Sequence, residues 1–71
     1  MDNKLFIVIE LQRNGNQMAN IVTAHETLQD AQHKFHAVAA AAAISSVEKH
    51  SVILLDDDGF TIEKTIFEHK Q

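Results

Sequence analysis

Apolar and polar residues recur along this chain in two different periods. Lys4 to Gln12 (KLFIVIELQ) crowds β-branched and aromatic residues into one short run and predicts a strand. Asn14-Gly15 follows, the pair that most often turns a hairpin, since both central residues of that turn take positive φ. Met18 to Glu26 (MANIVTAHE) is then the returning strand. At Thr27 the period changes. Thr27 stands three residues before Asp30, a capping-box spacing with Asp in place of the preferred Glu or Gln. Leu28, Ala31, Phe35, Val38 and Ala42 recur at three and four residues, which is one face of a helix ending near Ser45-Ser46. Glu48 to Asp56 (EKHSVILLD) reads as a third strand, Asp58-Gly59 as the centre of a turn, and Thr61 to Lys70 as the last strand.

This order is ββαββ, a two-layer α+β fold in a single domain over residues 1–71. The first and third strands, LFIVI and SVILL, are apolar on both faces and belong in the middle of the sheet. The second and fourth mix polar residues throughout and belong at the edges. The expected sheet is therefore antiparallel, in the order 2-1-3-4, with the helix packed on one face.

Size then raises a difficulty. Four strands at about 4.8 Å spacing make a sheet roughly 15–19 Å wide, and one helix is only about 10 Å across. The helix covers the middle of one face, yet Phe6, Ile7, Val8, Ile9, Val52, Ile53, Leu54 and Leu55 send apolar groups to both. The helix itself carries Ala39 to Ala43, more than a full turn with no large side chain. Alanine is the best helix former, and it also lets another backbone come close. Together these features predict a homodimer in which helix or sheet packs on its twin. The expected contact, with the dimer partner or another protein, is Ala37, Ala40, Ala41 and Ile44.

Composition narrows the classes. A 71-residue chain buries only roughly 60% of its unfolded surface and is marginal alone. Disulfides are excluded, because there is no cysteine. The first residues hold an acidic group, Asp2, and a short alternating apolar run, so neither a signal peptide nor a membrane span is expected. A cytoplasmic protein is the expectation. With a net charge of -4 and its Lys and Arg spread singly, the chain is not expected to bind nucleic acid through phosphate contacts.

The stretch Phe35 to Glu63 (FHAVAAAAAISSVEKHSVILLDDDGFTIE), together with Glu10 in the first strand, resembles a family of small uncharacterised proteins encoded in phages and prophages of gut-dwelling Gram-positive bacteria. The shared pattern is FH…AAAA…SS…HS…LL…G. The resemblance implies a mobile-element setting, hence the host cytoplasm or the virion, and brings no activity and no site residue with it.

Candidate chemistry must come from the residues themselves. His33 and His36 are neighbours on the helix, and His25, His50 or His69 is a conceivable third metal ligand, but histidines on a polar helix margin give the same pattern. Asp56 to Asp58 offer carboxylates to a hard cation, without the spacing of a calcium loop, and read more simply as an acidic turn. Ser45 and Ser46 near His50 lack a glycine elbow and an orienting acid. No metal, cofactor or catalytic group is expected. Glu10 stands out: facing the helix it needs a partner, with His36 within reach, and facing outward it lies near Glu63 or Lys64. The function expected is a homodimeric interaction or structural module that binds another protein, not an enzyme. The alternative is an acidic inhibitor of a host defence nuclease that mimics nucleic acid.

Overall fold

A computed structural model describes residues 4–69. Strand β1 (Phe6–Asn14) pairs antiparallel with β2 (Gln17–His25); helix α1 (Leu28–Ala43) crosses to β3 (Lys49–Asp56), which pairs with β1 and with β4 (Thr61–Glu68). The sheet order is β2-β1-β3-β4, open and antiparallel, with the helix on one face. The two strands apolar on both sides are the central ones, as their composition requires.

Turn chemistry differs in detail from the expectation. Asn14 and Gln17 close the first hairpin, so the central pair is Gly15-Asn16 rather than Asn14-Gly15. Only Gly15 has positive φ, +61°, the pattern of a type II′ turn with glycine first. Glu48 braces this turn from across the molecule: its Oε1 accepts from the Gly15 N–H at 2.8 Å, and its own N–H donates to Asn14 Oδ1 at 3.0 Å. In the second hairpin Gly59 N–H donates to Asp56 O at 3.0 Å, which makes Asp57-Asp58 the central pair and leaves Gly59 behind them at φ +90°.

Helix α1 begins where the capping signal put it. Thr27 is the N-cap, and its Oγ1 accepts from the Asp30 N–H at 3.1 Å. The helix stops at Ala43, with Ile44 as C-cap, because the chain tightens there: Ile44 and Ser45 donate to Ala41 O and Ala42 O. His69 joins this end. Its Nε2–H donates to Ala42 O at 3.0 Å, tying the helix C-terminus to the end of β4.

The core lies between helix and sheet. Ala31, Phe35 and Ala42 from α1 meet Val8, Val52 and Leu54, with Phe6, Val38, Ala39 and Phe67 packed around them. Leu28, expected on this face, is half exposed at the first turn. The helix sits mostly on β3 and β1 and reaches less far over β2 and β4. Among the described residues no helix covers the other face. Strand alternation and register set its rows: Ile7 with Ala24 and Leu55, Ile9 with Val22 and Ile53, Leu11 with Asn20 and Ser51, Arg13 with Met18 and Lys49. On β4, Lys64, Ile66 and Glu68 stand beside Ile53, Ser51 and Lys49.

Candidate functional site

The helix side holds one polar cluster in an apolar setting. Glu10 faces the helix, in line with Val8, and its partner is neither His36 nor a β4 residue. His50 reaches diagonally from β3, and its Nε2 bonds the Glu10 Oε2. Gln12 Nε2–H donates to the same oxygen at 3.1 Å. His50 is 4% exposed, and its Nδ1 is buried with no hydrogen-bond partner among the described residues. Beside Glu10 a small groove of about 90 Å³ opens between α1 and β2, lined also by Val8, Ile21, Thr23, Lys34 and Val38. The pair satisfies Glu10 Oε2 and one nitrogen of His50, between two central strands. A nucleophile is not part of it: Ser51 lies on the opposite face, and Ser45 Oγ accepts from the Val47 N–H at 3.0 Å.

The remaining candidates are dispersed. His36 Nε2 lies 3.5 Å from Glu63 Oε2 on an exposed margin. His25 Nε2 shares a hydrogen bond with Thr23 Oγ1 at 2.9 Å. Among the described residues no group of three or more potential ligands converges on one point. The three aspartates form a self-satisfied turn: Asp56 Oδ1 accepts from the N–H groups of Asp58 and Phe60, and Asp57 Oδ2 accepts from Leu5 N–H. Lys4 Nζ stands 3.7 Å from both Asp56 and Asp58. The Phe60 N–H, ahead of the Asp58 N–H and Lys4, holds the Asp56 carboxyl below its ordinary value against the opposing effect of burial.

Among the described residues, three exposed surfaces stand out. The outer side of α1 exposes Ala37, Ala40, Ala41 and Ile44, the last at 89%. The open sheet face is apolar over most of its length, with Val22 at 58% and Ile66 at 48% exposure. Its polar end gathers Arg13 and Lys49 around a depression of about 280 Å³, with Leu11, Met18 and Ser51. The third surface is the edge strand β2, exposed nearly throughout.

No protein-family model, curated protein or solved structure matches the chain. Among the described residues no helix is long and apolar enough to cross a membrane.

Proposed function

We propose that this protein is a small interaction module that works as a homodimer and binds another protein, with no chemistry of its own. One observation carries the reading. The open sheet face presents Ile7, Ile9, Val22, Ile53, Leu55 and Ile66 on one surface, while the buried apolar core on the other side numbers six among the described residues. Contiguous apolar surface of this kind marks interaction sites. A sheet roughly 19 Å by 26 Å projects about 500 Å², the same order as the roughly 800 Å² each partner gives to a specific interface.

The polar end of that face balances its charges: Arg13 stands 4.0 Å from Glu48, and Lys49 lies beside Glu68. A second copy turned end for end would bury these groups against the row of Ile7 and Leu55. The fitting occupant is a protein surface with an apolar stripe to meet Ile9, Val22 and Ile53 and a polar end to meet Arg13, Glu48, Lys49 and Glu68. The resemblance of Phe35 to Glu63 supports a phage or prophage setting, with a virion component or host factor as that partner and the host cytoplasm or the virion as its place. The nucleic-acid mimic draws no support from the arrangement of acids. Glu63 lies on the helix side, Glu68 on the open face, and Glu48 at the end of the sheet remote from Asp56 to Asp58.

The test compares capture from lysogenic or infected cells by the wild type and by Ile53→Lys, which leaves the helix-side core untouched. A protein retained by the wild type and lost by the variant supports the reading. Identical captures by both contradict it.

A further inference from the structure

We infer that the homodimer forms by antiparallel pairing of β2 with the β2 of a second copy, joining the two sheets into one of eight strands with Ile21 on the two-fold axis. The inference rests on the homodimer proposed above and specifies its contact.

The two sheet edges are built differently. The β4 edge carries Glu63, Lys64 and Glu68 and a register shift opposite Leu54 and Leu55, the usual devices against edge pairing. The β2 edge has none of them. From Gln17 to Ala24 it holds no charged residue and no proline, and its pairing with β1 runs without a bulge from Asn14↔Gln17 to Phe6↔His25. An edge that is long, regular and uncharged is a template for another strand.

The register picks the mate. A two-residue hairpin loop makes Asn14 and Gln17 a hydrogen-bonded pair, and antiparallel pairs alternate from there. Gln17, Ala19, Ile21, Thr23 and His25 therefore turn their backbone groups to β1. Met18, Asn20, Val22 and Ala24 turn theirs outward. Two β2 strands aligned about Ile21 match Met18 with Ala24 and Asn20 with Val22 in both directions, so every outward N–H and C=O between Met18 and Ala24 gains a partner. Shifting the axis to Asn20 or Val22 leaves one outward residue of each strand unmatched. The side chains agree with the same register. Ile21, 52% exposed on the rim of the groove beside α1, faces its twin at a close, non-hydrogen-bonded position, and Ala19 faces Thr23. No like charges are opposed, because the strand has none.

The chain lacks cysteine, so a single introduced thiol reads the register directly. Cα atoms at a non-hydrogen-bonded pair lie about 4.5 Å apart, within the span a disulfide bridges. Ile21→Cys, checked for an unchanged far-UV spectrum and oxidised mildly at micromolar concentration, is expected to run mostly as a covalent dimer that collapses to chain mass on reduction. Asn20→Cys and Val22→Cys, treated alike, are expected to stay mostly uncrosslinked. Preferential crosslinking at position 20 or 22 overturns the register. A wild type that sediments as a dimer while none of the three variants crosslinks overturns the β2 contact and leaves the homodimer standing. A monomeric wild type overturns both.

Discussion

Glu10 and His50 meet under the helix from neighbouring central strands, two residues out of direct register, and each is the other's polar partner inside the apolar layer. Removing Glu10 leaves the imidazole stranded, whereas Glu10 keeps the bond from Gln12 when His50 is removed. Glu10→Leu strips the bond from a nearly fully buried imidazole, and an unsatisfied buried group costs about 1–3 kcal/mol. The double variant Glu10→Leu/His50→Leu removes both polar groups and is expected to recover most of that loss. Urea midpoints of the singles and the double check this. Additive losses would show that the two side chains act independently.

Asp56 ties the second hairpin to pH. The Phe60 N–H, the Asp58 N–H and Lys4 hold its carboxyl below the ordinary value in the folded chain. A depressed folded value means the contribution is whole above the unfolded aspartate range, about pH 4, and is lost as pH falls through the lowered folded value. The stability difference between the wild type and Asp56→Asn should therefore be constant at neutral pH and shrink below about pH 4. Denaturation midpoints taken from pH 7 to pH 2 test it; a difference that grows on acidification contradicts it.

Gly15 is held by backbone conformation alone. Its φ is +61°, and a Cβ added there meets nothing within 4 Å. Gly15→Ala therefore loses no packing and gains only the strain of an L-residue at positive φ, about 1–2 kcal/mol. The thermal midpoint should fall accordingly, while the bracing bond from the Gly15 N–H to Glu48 survives. An unchanged midpoint would mean that the turn relaxes to another form.

The outer helix surface is the competing place for a dimer. If the contact lies on β2, Ala40→Glu alters an exposed helix position and costs a few tenths of a kcal/mol in helix propensity. The association state should not change. Dissociation on this single substitution would move the interface to Ala37, Ala40, Ala41 and Ile44.

Much of this architecture is legible from the chain. Strands apolar on both faces had to be central, which fixed the order 2-1-3-4, and Thr27 announced the helix start. Details of the turns were less legible, because Asn14-Gly15 is compatible with two hairpin frames and only the pairing of Asn14 with Gln17 chooses between them. The partner of Glu10 was missed for a similar reason. His50 lies forty residues away, and the two come together only once LFIVI is aligned against SVILL; that alignment, tried on the sequence, would have set them diagonally on one face. The edge position of β2 was legible from its mixed composition, whereas which of its residues turn their backbone groups outward needed the pairing of Asn14 with Gln17.

The homodimer and its β2 contact both depend on self-association, so the mass in solution is their most direct measurement. Sedimentation equilibrium of the wild type at micromolar concentration is expected to give twice the 7.9 kDa chain mass, with dissociation on dilution accompanied by loss of stability. A chain that sediments at its single mass and stays folded down to nanomolar concentration would contradict the account.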